Sequence, residues 1–256
     1  MLTIAACLKF VNTNLFYGKN QALSSYVLNP YDLYMVERLT DLKKTIQCKI
    51  VAITMGPMGC LDHIKRMKAI GIDEIYLISD PCFAGSDTYS SSYILSKALE
   101  HIGKFDIYAF GEKSLDGETG QVPIGVSTNI GLFCHVKIES IKICDNSKIM
   151  MRKVKSDRVD IIEGKFPLAI SFSGFSTTDI PISLLQLKQI NRYQPIVLDK
   201  ASMQIDERQC GQSGSKTKAS IITNTIKKRK SILIDGDSAN KIQTFNSLME
   251  SGGIQN

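Results

Sequence analysis

Between residues 2 and 132, apolar runs of strand length alternate with stretches of helical periodicity, and this alternation constrains the fold more than any other feature. The runs at 2–8, 49–55, 74–79 and 105–110 are apolar almost throughout rather than at every second position. Strands of that kind are covered on both faces. Helical stretches separate them. Asn29-Pro30-Tyr31-Asp32 reads as a helix start, with Asn29 as cap, Pro30 in the first turn and Asp32 at the positive dipole end. Leu33, Val36, Leu39 and Leu42 then recur at helical spacing. Leu61, Ile64, Met67 and Ala69 carry a second helix to Gly71, and Asp87-Thr88 open a third that stops at Gly103.

The repeated order predicts an α/β fold: a Rossmann-like, mostly parallel sheet with right-handed crossovers and helices on both faces. In such sheets ligands sit beyond the carboxyl ends of the strands. Here that edge carries Leu8-Lys9 and residues 54–57, 79–88 and 111–121, all polar or glycine-bearing, so one site can draw on all of them. The 111–121 loop, Gly-Glu-Lys-Ser-Leu-Asp-Gly-Glu-Thr-Gly-Gln, precedes a helix read over residues 122–132. Unpaired N–H groups at a helix start point at an anion together with the positive end of the dipole. Gly117 and Gly120 let the loop turn tightly and let a ligand approach the backbone. By its local chemistry the loop suits either a phosphate or an ordinary βα connection that binds nothing.

Beyond residue 132 the runs at 135–143, 148–154, 158–163 and 168–172 alternate more clearly, and are expected as antiparallel strands added at one edge of the sheet. Pro181 opens a short helix over 182–190. After Arg192 the pattern thins. Residues 209–218 read as a linker or arm, and 239–249 as a final short helix. The expected organisation is a nucleotide-binding α/β domain over residues 1–192, then an extended C-terminal arm and short helix over 193–256 that pack on a partner subunit.

Composition narrows the partners. The net charge of +6 owes much to Lys216, Lys218, Lys227, Lys228, Arg229 and Lys230. A solvated face accounts for such a run, and without interleaved aromatic residues it is not expected to hold nucleic acid. The seven cysteines stand singly, with no Cys-x-x-Cys spacing, so neither zinc nor dithiol chemistry is indicated. Their odd number and the lack of an export signal in the first residues point to the cytoplasm. No apolar run approaches the ~20 residues that cross a bilayer, so no membrane insertion is expected. His63, His101 and His135 have no triad or metal partner in sequence, and no catalytic residue is expected.

A series of short motifs remains: Lys9 after the first strand, Asn29-Pro30-x-Asp32, Met55-Gly56-Pro57, Ala69-Ile70-Gly71-Ile72-Asp73, Gly111-x-x-Ser114-x-Asp116-Gly117-x-Thr119-x-Gln121 and Gly214-Ser215-x-Thr217-Lys218. In this order and spacing the chain resembles the β subunit of electron-transfer flavoproteins, over essentially its full length. The resemblance implies a heterodimer with an α subunit, electron delivery to a flavin dehydrogenase, and an adenine nucleotide whose phosphates lie in the 111–121 loop. Most such proteins hold AMP there. A subgroup holds FAD instead, takes an electron pair from NADH and splits it, which is electron bifurcation. That subgroup carries Phe-Ala-Gly-x-Asp-Thr, and Phe83-Ala84-Gly85-Ser86-Asp87-Thr88 matches it.

Carried across by resemblance, Gly120, Gln121 and Val122 offer backbone N–H groups to phosphate, in a loop shared with Asp116 and Gly117. Ser114, Thr119, Thr88 and Ser91 offer hydroxyls, and Cys7, Asn29, Asp32, Thr54, Met55 and Gly56 surround the adenosine. Ala84 and Gly85 leave room for a flat ring system. Read by themselves, Phe83 packs and Asp87 caps a helix. Lys9 lies near the ring or neutralises a carboxylate. The chain departs from the subgroup at Pro81, where Arg is usual, at Glu112-Lys113, where Lys-Gln is usual, and at Pro123, which removes one backbone donor. The alternatives are a non-bifurcating β subunit with structural AMP and a scaffold without redox activity.

Overall fold

The computed structural model describes residues 1–12, 26–145, 147–177, 182–217 and 233–250. They fall into two compact units, Met1–Lys218 and Ala219–Asn256. In the first, β1 (Leu2–Leu8) is followed by the antiparallel pair β2 (Phe10–Asn12) and β3 (Tyr26–Leu28), α1 (Pro30–Lys43), β4 (Cys48–Met55), α2 (Leu61–Lys65), β5 (Glu74–Ile78), α3 (Thr88–Ile102), β6 (Ile107–Gly111) and α4 (Val122–Asn129). There follow β7 (Cys134–Ile138), β8 (Ser140–Ile143), β9 (Lys148–Val154), β10 (Val159–Lys165), β11 (Leu168–Phe172), α5 (Leu184–Arg192), β12 (Ile196–Leu198) and α6 (Gly211–Gly214). The second unit contains α7 (Ser238–Glu250).

A seven-stranded sheet in the order β12-β5-β4-β1-β6-β11-β7 forms the frame, and every pairing within it is parallel. The two-residue period of a strand sends alternate side chains to opposite faces. Ile4, Ala6 and Leu8 pack on one face with Met35, Val36 and Leu39 of α1. Ala5 and Cys7 pack on the other with Ile94, Leu95, Ala98 and Leu99 of α3 and Val126 of α4. The sheet is thus covered on both faces, as its continuous apolar strands require. Each fully buried Ile or Leu contributes roughly 1.5–3 kcal/mol to that packing.

The antiparallel strands differ in placement from the sequence expectation. They form a separate sheet, β10-β9-β8, and do not extend the edge of the main one. The run at 135–143 is divided at Glu139: β7 joins the main sheet, and β8 joins the small one. Lys137, at φ 60, lies in the left-handed region and bends the chain there. β11 is buried at every position and pairs in parallel with β6 and β7, as an interior strand does.

The boundary expected at residue 192 also shifts. β12 pairs with β5 and α6 packs against the 80–92 loop, so the first unit continues to Lys218. Residues 209–217, within the 209–218 stretch expected as a linker or arm, are structured because Gly211 and Gly214 permit close backbone approach. A Cβ on Gly211 would fall 2.2 Å from the Cys82 carbonyl oxygen, and one on Gly214 would fall 2.0 Å from the Gln209 carbonyl carbon. Of the polar connection after β2, residues 13–25 lie outside the described residues, as do Pro181 and the lysines at 218, 227, 228 and 230. Among the described residues no helix is long and apolar enough to cross a membrane.

Candidate functional site

The ends of β5, β4, β1 and β6 open into one cavity of about 710 Å³. Pockets of ~300–1,000 Å³ are the usual size for cofactors and small ligands. Four neighbouring strands at ~4.8 Å spacing give a floor about 14 Å wide. The chain runs from β1 to β4 and β5 on one side and returns to β6 on the other, so the cavity straddles the point where strand order reverses. Open α/β sheets bind their ligands at that point.

Asp32, in the first turn of α1, organises the floor. Its carboxylate accepts the Lys9 backbone N–H at 2.8 Å and the Gly111 N–H at 3.1 Å, tying the ends of β1 and β6 to the helix. A Cβ on Gly111 would lie 2.3 Å from Asp32 Oδ1, so glycine is required at the end of β6. Burial pushes the Asp32 carboxyl up to about 7, against the lowering effect of those N–H groups, the Asn29 side chain and the Lys9 charge. Burial, reinforced by the Asp32 charge, also pushes the neighbouring Cys7 thiol upward, so it stays protonated. Asn29 does not cap α1 through its side chain. Its Nδ2 donates to the Lys113 carbonyl at 2.8 Å and its Oδ1 accepts the Leu115 N–H at 3.3 Å, so it holds the 111–121 loop in place.

Within that loop, Lys9 Nζ pairs with Asp116 at 2.7 Å, which is the carboxylate-neutralising alternative for Lys9. The Ser114 hydroxyl accepts the Gly117 N–H at 3.4 Å. Glu112 turns to Ser173 Oγ at 3.0 Å and Lys137 Nζ at 3.4 Å, while Lys113 stands on the cavity wall. No side chain caps the first turn of α4, and Gly120 and Val122 face the cavity there. The helix ends at Asn129, short of the expected residue 132.

The opposite wall is the 80–91 loop, where Asp80 accepts the Cys82 N–H at 2.9 Å and starts a single 3-10 turn, Pro81–Phe83. Phe83 is buried in the core and still touches the cavity. Asp87 caps α3 by accepting the Ser90 N–H at 3.0 Å, and its other oxygen accepts the Thr217 N–H and hydroxyl at 2.8 and 2.9 Å. The segment around α6 clasps this loop. The Ser215 hydroxyl accepts the Asp87 N–H at 2.8 Å, the Ser86 hydroxyl accepts the Gly211 N–H at 3.1 Å, and the Ser90 hydroxyl donates to the Gln209 carbonyl at 2.9 Å.

Of the residues singled out in sequence, Cys7, Lys9, Asn29, Asp32, Met55, Gly56, Phe83, Ala84, Gly85, Ser91, Ser114, Thr119, Gly120 and Val122 line this one cavity. Thr54, Asp87, Thr88, Asp116, Gly117 and Gln121 do not line it. Thr54 is buried, and its hydroxyl has no hydrogen-bond partner among the described residues. Thr88 Oγ1 lies 3.4 Å from Thr119 Oγ1, joining the two loops. Pro57, Ser79 and Lys113, which lie in the loops read along this edge but were not singled out, also line the cavity, as does Met58, which lies outside those loops. Only Lys113 carried a signal, as the cation displaced by one position. No cluster of His, Cys, Asp or Glu able to hold a metal occurs among the described residues.

Comparison with known proteins agrees with this architecture. Residues 22–163 match the electron transfer flavoprotein domain. The electron transfer flavoprotein subunit beta of Thermoanaerobacterium thermosaccharolyticum is 25% identical over 86% of this chain and 84% of its own length. That of Megasphaera elsdenii is 27% identical over 88% and 85%. Subunit CarD of the caffeyl-CoA reductase-Etf complex of Acetobacterium woodii is 30% identical over 57% and 55%. A sheet, a strand-end cavity and a family match that coincide in this way identify the chain as a member of the electron transfer flavoprotein family, of the β-subunit type.

Proposed function

We propose that the chain is the β subunit of a heterodimeric electron-transfer flavoprotein and holds FAD in the strand-end cleft. One observation carries the reading: two loops of different character face the same cleft. The α4 side offers an uncapped helix start with Gly120 and Val122 on the wall, suited to phosphate. The 80–91 side puts the small residues Ala84 and Gly85 on the wall, suited to a planar ring, while a Cβ on Gly85 would itself point at Gln212, 3.4 Å away. AMP would use only the first of these walls, so the second favours FAD. When bound, FAD supplies the one- and two-electron chemistry.

The chain's own residues bind and orient. Amides of the α4 turn, with the Ser114 and Thr119 hydroxyls, hold phosphate oxygens. Asp32 and Asn29 fix the floor and the loop around the adenosine. At α3, Asp87 already occupies the Ser90 amide, so this side contributes the Ser91 and Thr88 hydroxyls. The assembly around the cleft comprises an α subunit and a flavin dehydrogenase, with NADH as electron donor and bifurcation as its outcome, in the cytoplasm. α7 exposes Ile242, Phe245 and Met249 at helical spacing, a face suited to the α subunit. Leu184 and Leu185 on α5 are exposed and suit a second partner.

Releasing the cofactors from the purified αβ complex and counting them tests the reading. Two flavins and no AMP per heterodimer are expected. One flavin with one AMP would replace FAD by structural AMP. Two flavins that NADH leaves oxidised would remove NADH as donor.

A further inference from the structure

We infer that Lys113 and the first turn of α4 form one composite phosphate anchor, in which Lys113 supplies the positive charge. This rests on the reading of the cleft as an adenine-nucleotide site.

The charged side chains on the cavity wall are Lys9, Asp32, Asp80 and Lys113. Lys9 is paired with Asp116 at 2.7 Å. Asp32 accepts the amides of Lys9 and Gly111, and Asp80 accepts those of Cys82 and Lys200. Among the described residues, Lys113 is the wall cation with no carboxylate at ion-pair distance. Its ammonium lies instead 5.6 Å from the centroid of the Tyr31 ring, which makes an edge contact with Phe175 at 5.3 Å. An aromatic face steadies a cation and leaves its N–H groups for an acceptor.

The backbone beneath Lys113 is fixed, because Asn29 bonds its carbonyl and the Leu115 N–H. A Cβ placed on Gly120 would stand 3.9 Å from Lys113 Cβ, so the side chain is rooted beside the wall residue that precedes the α4 turn. Glu112 does not cancel the charge, since its carboxylate faces Ser173 and Lys137 and it is not on the wall. The Glu112-Lys113 pair therefore separates its charges, with Glu112 turned away from the cleft and Lys113 on its wall. A phosphate at the α4 turn meets uncapped amides and an ammonium together, and that pairing strengthens hydrogen bonds beyond those between neutral groups.

AMP and adenosine separate this role from a packing role, since they differ only in the phosphate. Each is titrated calorimetrically into the αβ complex after its β-subunit cofactor has been removed by gel filtration in high salt. Lys113→Met, which keeps the length of the apolar stem, should weaken AMP binding roughly tenfold and leave adenosine within about twofold. Lys113→Arg should restore most of the AMP affinity, and the salt dependence of AMP binding should flatten in Lys113→Met. Unchanged AMP affinity in Lys113→Met, or equal losses for AMP and adenosine, overturns the assignment while the nucleotide reading stands. A wild-type complex that binds neither ligand overturns the nucleotide reading and this assignment with it.

Discussion

Replacing Asp32 by Asn should change how the stability of the protein depends on pH. Asp32 is buried and its carboxyl is pushed from an ordinary 3.8 to about 7, chiefly by loss of solvent. The unfolded chain ionises this group at its ordinary value, so between the two values the folded state binds the extra proton. The stability contributed by the group is therefore greatest below the unfolded value and declines as pH rises toward the folded one. The interval corresponds to roughly 4 kcal/mol, of which about 2–3 kcal/mol falls between about pH 5 and about pH 8. The amide of the Asp32→Asn variant carries no charge at any pH, so the stability of the variant relative to wild type should rise by that amount across the range. A constant offset is expected as well, because the new amide must place a donor toward one of the Lys9 and Gly111 N–H groups, at a cost of ~1–3 kcal/mol. The pH slope, not the offset, carries the prediction. Urea denaturation of wild type and Asp32→Asn, followed by circular dichroism at several pH values, reads it directly. A difference between the two proteins that stays flat from about pH 5 to about pH 8 would show that Asp32 is ionised throughout, and that its two amide donors outweigh its burial.

Two further perturbations follow from close contacts and an orphaned hydroxyl. Gly211→Ala places a methyl group 2.2 Å from the Cys82 carbonyl oxygen at φ 58, and should destabilise the first unit by about 2–4 kcal/mol. Thermal unfolding measures the loss, and hydrogen exchange should show it concentrated at residues 80–92; protection unchanged there would refute the clasp. Thr54→Val removes a buried hydroxyl that has no partner among the described residues, and should leave stability unchanged or raise it by up to roughly 2 kcal/mol. A clear loss in chemical denaturation would mean that the hydroxyl is satisfied in solution.

The parallel core was legible because full burial writes itself as uninterrupted apolar strands: 2–8, 49–55 and 74–79 became β1, β4 and β5 with small changes at their ends. Asp87 and Gly103 bound α3 as read, since a helix cap and stop act over a few residues. Long-range roles were not legible. Asn29 looks like a cap, but its partners Lys113 and Leu115 lie 84 and 86 positions away, and a side-chain amide serves either purpose equally well. The 135–143 run read as one strand because nothing in its composition announces that Lys137 turns in the left-handed region. The 209–218 segment read as a linker or arm because its glycines serve close backbone approach, which has the same composition as freedom. The glycine-bearing 111–121 loop is legible from its composition, whereas nothing in the pair Glu112-Lys113 announces that Lys113 lines the cavity and Glu112 turns to Lys137.

The clasp on the 80–92 loop also sets an order of assembly. Its hydrogen bonds join residues between 119 and 130 positions apart, whereas β1, β4, β5 and β6 are all made by residue 111. Contacts of such separation form late, because the loop they close must first be ordered. A growing chain can build the sheet and the α4 side of the cleft long before it can fix the opposite wall. The 80–92 side of the cleft therefore takes its last bonds only when nearly the whole first unit has been synthesised.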